Sequence, residues 1–214
     1  AALDAAAVGG MTANQMSALD ASAMAGFDQT KVAALDNTAV GALDAQQMAA
    51  FDPTAMAGFD QTKVAALDAA AVGGMTANQM SALDATAMAG FDQTKVAALD
   101  NTAVGGLSAD QMKAFDPSAV AGLQKEQVSN LSKNAVGGLS ATQFEALPDD
   151  ALSGLDRDNI GGLDPLVMGS MTNEVIAKLD PEEVKGLAGD DFSKLATNVD
   201  LSLIHISEPT RPLR

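Results

Sequence analysis

Aspartate recurs along this chain at intervals of eight residues or multiples of eight: Asp4, Asp20, Asp28, Asp36, Asp44, Asp52, Asp60 and Asp68. A row of carboxylates at fixed spacing could bind Ca²⁺, which takes about six to eight oxygen ligands. Asp20, Asp28, Asp36, Asp44, Asp52 and Asp60 are the candidate ligands on that reading. Threonine forms a second row two residues further on, at Thr30, Thr38, Thr54, Thr62, Thr86, Thr94 and Thr102. Regular Thr arrays can template water or ice, but Asn, Gln, Ser and Glu interrupt this one. Adjacent carboxylates occur at Asp149/Asp150, Glu182/Glu183 and Asp190/Asp191. Such pairs at a helix start are solvated and favoured by the helix dipole. The chain has no Cys, and its one histidine, His205, lies near the C-terminus. Nothing here makes a credible nucleophile or general base, so no catalytic residue is assigned and a non-enzyme is expected.

The spacing of these residues belongs to a longer pattern. From Leu3 to Leu195 every eighth residue is Leu, Met or Phe. Five residues after each comes a second apolar residue: Val8, Met16, Met24, Val32, Val40, Met48. The unit is L-D-x-x-x-[VM]-[AGS]-[AG], and a strict short period marks a repeat architecture. Position 2 of each octad is a short acceptor (Asp4, Thr12, Asp20, Asp28, Asp36, Ser108, Thr172), the preferred N-cap chemistry. Pro53, Pro117, Pro165 and Pro181 stand at position 3, the first helical residue, where a missing N–H costs nothing. Gln15, Gln47, Gln79, Gln111, Gln127, Gln143 and Glu183 at position 5 complete capping boxes, and the two apolar positions form a hydrophobic staple. The cap role accounts for the Asp row without a metal.

Each octad thus reads as about one and a half helical turns followed by a tight corner. One continuous helix is excluded, because its apolar stripe would drift about 80° per octad. A strand would point positions 1 and 6 to opposite faces. Helices this short are unstable alone and persist by stacking, as in solenoids. The expected fold is therefore all-α: a solenoid of very short N-capped helices, one per octad.

Two longer periods are present. Position 5 alternates Ala with Gln or Lys (Ala7, Gln15, Ala23, Lys31, Ala39, Gln47), and position 8 tends to alternate Gly with Ala. This predicts two helices per 16-residue turn on opposite sides of a thin rod, one side smooth with Ala and Gly, the other polar. Some twelve such turns, with helices ~8–10 Å apart, would span on the order of 100 Å. The third period is 64: residues 3–41 match 67–105 except at Ser22/Thr86.

Ala1 and Ala2 occupy positions 7 and 8 of an octad, so the chain is expected to start inside a longer array. From about residue 140 to 199 the octads diversify, with Phe144, Ile160, Ile176 and Phe192 at position 6 and extra apolar residues at Leu166, Val167 and Val175. The pattern fails at Asp200. Residues 201–211, LSLIHISEPTR, resemble a translated sequencing-library adapter, so residues 200–214 are expected to be a non-native, disordered tail. Without residues 201–214 the basic residues fall from 12 to 10 and the acidic ones from 28 to 27, for a net charge of -17. That acidity argues against nucleic acid, whose phosphates need a basic surface. No apolar run approaches the roughly 20 residues of a membrane span.

The octads resemble the tandem L-[STD]-x-x-Q-[VI]-x-[AG] arrays of very large bacterial secreted or surface proteins, including adhesin-like ones. The resemblance covers residues 1–199. It implies an extended spacer or display rod outside the cell, without a cofactor and with neighbouring domains of a parent protein as partners. The alternative is a binding module, in which the Asp edge holds Ca²⁺ or the smooth Ala/Gly side meets a protein, a glycan or another copy.

Overall fold

A computed structural model describes residues 4–171 and Val175. The described chain is a series of short helices, one per octad, from Ala5–Gly9 to Pro165–Ser170, with no strand among the described residues. It is an all-α solenoid.

Two local bonds close an octad. In the α-helical octads the position-6 N–H donates to the position-2 carbonyl, as Val64 does to Asp60 at 3.0 Å. In the 3-10 helices Ala21–Gly26, Pro53–Gly58 and Ala85–Gly90 the position-5 N–H does so, as Ala87 does to Asp84 at 3.0 Å. The position-1 N–H of the next octad then donates back to the position-6 carbonyl, as Leu35 does to Val32 at 3.1 Å. Position 1 itself is extended (Leu67, φ -61, ψ 143) and turns the corner. The predicted caps form at Asp4, Thr12, Asp20, Asp28, Asp36 and Ser108. Pro53, Pro117 and Pro165 occupy the first helical turn. Thr172, Pro181 and Glu183 lie outside the described residues, as do Ile176, Phe192 and the whole tail 200–214.

Stacking follows a rule that differs from the 16-residue expectation. Helices pack on those three octads away: Ala85–Gly90 lies between Gln61–Ala66 and Ala109–Ala114, and Pro53–Gly58 between Gln29–Ala34 and Ala77–Ala82. Long-range hydrogen bonds return after 28 and 31 residues. One circuit therefore takes three to four octads, not two. The described residues make roughly six circuits, and at ~8–10 Å per layer the stack rises on the order of 50–60 Å. The rod is thicker and shorter than the twelve-turn reading. Three is odd, so every octad with Ala at position 5 packs on octads with Gln, Lys or Asn there. The period of two in the sequence encodes this alternation of neighbours rather than two sides of a rod.

The core is continuous. Positions 1 and 6 are buried along the stack, from Val8 and Met16 to Ile160 and Met171. Phenylalanines at position 1 meet edge to face across stacked octads, Phe27 with Phe51 at 5.8 Å and Phe91 with Phe115 at 5.5 Å. Methionine fills the slim interior at Met48, Met56, Met80, Met88 and Met112, suited to it by its flexible, polarizable side chain. In the diversified stretch Phe144, Ile160 and Val167 are buried, whereas Leu166 is 82% exposed. Glycine at position 8 serves close approach, since no described glycine has positive φ. A Cβ on Gly90 would meet the Gln61 carbonyl and lie 2.8 Å from Val64 Cβ. Gly74, Gly106, Gly122, Gly138 and Gly154 are pressed likewise onto the backbone of the turn before.

Candidate functional site

Position 5 is where the structure departs furthest from expectation. Ala39, Ala55, Ala71, Ala87, Ala103, Ala119, Ala135 and Ala151 are fully buried, so the smooth Ala face is interior packing. The glutamines are buried as well: Gln79 is 1% exposed and Gln47 2%. The expected polar face is therefore not solvated. Both types face the turn before their own, which is why neither forms an outer side of the rod. Self-association along an Ala/Gly flank loses its surface over Ala39–Ala151.

The buried glutamine amide is a clamp. In Gln79, Oε1 accepts from the Thr76 N–H at 2.9 Å, completing the capping box of its own helix. Its Nε2 donates to the carbonyls of Met48 at 2.8 Å and Phe51 at 2.9 Å, the position-6 and position-1 carbonyls of one corner in the preceding turn. Gln47, Gln111, Gln127 and Gln143 repeat both donations. Asn159 keeps one of them, to Val128 at 3.0 Å. No buried side-chain N or O lacks a partner among the described residues. Sequence reading found the cap half of this arrangement and missed the other half. The signal was the amide itself. Glu serves a capping box as well as Gln does, yet every box from Gln15 to Gln143 uses Gln, because only an amide can accept from its own helix and donate to the turn below.

Lysine takes the same slot in three octads. The Lys63 and Lys95 side chains are 9% and 10% exposed and pair with Asp60 at 3.8 Å and Asp92 at 2.9 Å. The Lys63 charge also helps hold the Asp36 carboxyl below its ordinary value. Asp36 opens the stacked octad three before.

The candidate Ca²⁺ residues are all placed as caps. Asp20, Asp36 and Asp52 accept from the N–H and the hydroxyl two residues on, at Ser22, Thr38 and Thr54. Asp28, Asp44 and Asp60 accept from the N–H three residues on. Because stacking runs in steps of three octads, Asp20, Asp28 and Asp36 fall in three different columns and not along one edge. Among the described residues no three His, Cys, Asp or Glu side chains gather as a group that could hold a metal. The hydroxyl of Ser22 or Thr38, followed by the adjacent N–H, lowers the carboxyl of Asp20 or Asp36. The Lys31 N–H comes first for Asp28, and the Lys95 side chain first for Asp92. Five members of the threonine row, Thr38, Thr54, Thr62, Thr86 and Thr102, donate their hydroxyls to these aspartates.

Shallow grooves run between layers. The best defined, about 440 Å³, lies between Gln93, Ala97, Gly122, Gln124 and Asp150 and is broadly open. Asp149 and Asp150 stand in the first turn of the helix Asp149–Leu152. Glu182/Glu183, Asp190/Asp191 and His205 lie outside the described residues. No described helix is long and apolar enough to cross a membrane.

Compared with protein-family models the chain matches none, and a search of curated proteins returns no match.

Proposed function

We propose that this chain is a non-catalytic spacer rod, a stiff repeat module that sets distance between or displays parts of a large bacterial surface or secreted protein. The observation that carries this reading is the recurring glutamine clamp. Each of Gln47, Gln79, Gln111, Gln127 and Gln143 ties its own helix start to the turn before it. Buried, fully satisfied amides resist sliding of one layer on the next, because a slipped layer leaves donors and carbonyls unpaired in the interior. A stack pinned by these five amides, with lysine in the slots at Lys63 and Lys95, transmits length faithfully. Its acidic surface keeps a repetitive rod soluble and apart from its copies. Placement outside the cell rests on the resemblance of the octads to secreted arrays.

A length series tests the reading. Further copies of residues 3–66 are inserted between residues 66 and 67 of the full chain, which preserves the register. Small-angle scattering is expected to show a constant cross-section and a longest dimension growing by about 20 Å per block. Growth in thickness, or no growth, would overturn it. Melts in chelator and in millimolar Ca²⁺ examine the competing Ca²⁺ module, and helix that forms only with the ion would establish that reading instead.

A further inference from the structure

Position 2 holds Asp, Ser or Thr in every described octad but two. The exceptions are Gln124 and Pro148, and both line one groove. Neither is among the short acceptors that N-caps prefer, and Pro148 has no side-chain acceptor to offer. The Gln124 amide crosses the groove to the Ala97 carbonyl at 3.3 Å, and the Gln93 amide reaches the Ala121 carbonyl at 3.4 Å. Both bonds are long beside the 2.8 and 2.9 Å of the buried Gln79 clamp, and both glutamines are exposed. The groove lies in the wall of the stack and not at an end. Gln93–Ala98 packs between Ala69–Gly73 and Pro117–Val120, and Lys125–Asn130 between Asn101–Val104 and Asp149–Leu152.

A carboxamide matches a peptide group, because its oxygen accepts from an N–H and its NH₂ donates to a C=O. The interior clamps already use half of that match, amide NH₂ against backbone carbonyl. In the groove two loosely engaged amides stand on facing segments. The floor between them is bare at Gly122, where a Cβ would meet the Gln93 carbonyl. The volume of about 440 Å³ falls within the roughly 300–1,000 Å³ of ligand clefts. Asp150 is the one charged residue lining it, and no aromatic ring is there to receive the face of a sugar. We infer that the groove binds an extended peptide segment of another protein. The Gln93 and Gln124 amides hold its backbone, and a lysine or arginine side chain sits against Asp150. The inference stands whether or not the rod is a spacer.

The probe is a short capped peptide of alternating alanine and lysine, titrated into the isotopically labelled full chain. Saturable shifts of the Gln93 and Gln124 side-chain NH₂ signals are expected, with those of the buried Gln79 unmoved. Q124D restores the cap residue of the repeat and adds a negative charge. It is expected to raise the melting temperature by about 2–4 °C. It should nevertheless weaken the peptide about tenfold, the effect of one lost hydrogen bond. The same peptide methylated at its backbone nitrogens keeps its charge and should not bind. Equal affinity for Q124D would mean attraction by net charge alone, and shifts that do not saturate would mean no site; either overturns the proposal. A Q124D chain that melts lower would make Gln124 a part of the fold and overturn it too. Shifts at both amides with a neutral glucose oligosaccharide, and none with the peptide, would overturn the assigned occupant.

Discussion

Residues 4–34 and 68–98 have the same sequence apart from Ser22/Thr86 and the same local fold, yet not the same environment. Thr12 and Thr76 cap their helices alike, with N–H to Gln Oε1 distances of 2.9 Å in both. Asp20 and Asp84 accept the same two hydrogen bonds. The difference begins where the preceding turn enters: Gln15 is exposed and Gln79 buried, Ala23 exposed and Ala87 fully buried. Caps and corners are therefore properties of one octad, and burial at positions 5 and 8 belongs to the stack. One repeated sequence separates the two contributions within a single molecule.

The sharpest way to break the equivalence is Gln→Glu at both sites. Q79E puts a carboxylate against the Met48 and Phe51 carbonyls and should cost about 3–5 kcal/mol, the range for an uncompensated buried charge. Q15E keeps an exposed capping box and should stay within about 0.5 kcal/mol. Chemical denaturation of the two variants measures both, and equal effects would refute the clamp. Next come the small residues. A87Q and G90A each force volume into a filled layer and should cost about 1–3 kcal/mol. A23Q should be neutral. G26A should stabilise by about 0.4–1 kcal/mol, because its φ suits Ala and nothing opposes the methyl. Opposite signs for G26A and G90A are the outcome to look for in thermal melts.

Acid should act most evenly. The carboxyls of Asp20, Asp28, Asp36, Asp52, Asp60, Asp84, Asp92, Asp100 and Asp116 are all lowered by hydrogen bonds from nearby side chains and backbone N–H groups, led by a Ser or Thr hydroxyl at Asp20, Asp36, Asp52, Asp84, Asp100 and Asp116, by the Lys95 side chain at Asp92, and by a backbone N–H at Asp28 and Asp60. A carboxyl lowered in the folded state stabilises above its unfolded value of about 4. That stabilisation is lost as pH falls through the folded values. The melting temperature should be flat from neutral pH to about pH 5 and decline below about pH 4. Asp20 and Asp84 should titrate alike by NMR, since a hydroxyl and an N–H two residues on lower both. Distinct titrations would mean that the stack reaches the caps.

The sequence made the local half of this structure legible. Octad length, the N-cap at position 2, Pro at position 3 and the buried positions 1 and 6 each follow from chemistry within eight residues, and Asp28, Pro53 and Val64 sit as expected. The circuit length did not follow, because stacking three octads apart is a long-range choice that a short period cannot specify. The alternation Ala39, Gln47, Ala55, Lys63 was visible but read as two flanks. Any odd offset between stacked octads produces the same alternation of neighbours. The aspartates of the row cap their helices as their position predicts, and they share no single edge because stacking runs in steps of three octads.

The odd offset also constrains how such a gene can change. Losing or gaining a single octad would switch the parity of everything beyond it, setting Ala against Ala and Gln against Gln across the junction. Losing or gaining a pair leaves every contact type intact. Only even steps therefore keep Ala-bearing octads against Gln-, Lys- or Asn-bearing ones, and the near-identical stretches 3–41 and 67–105 stand 64 residues, eight octads, apart. A change of length that keeps these contacts counts octads in twos.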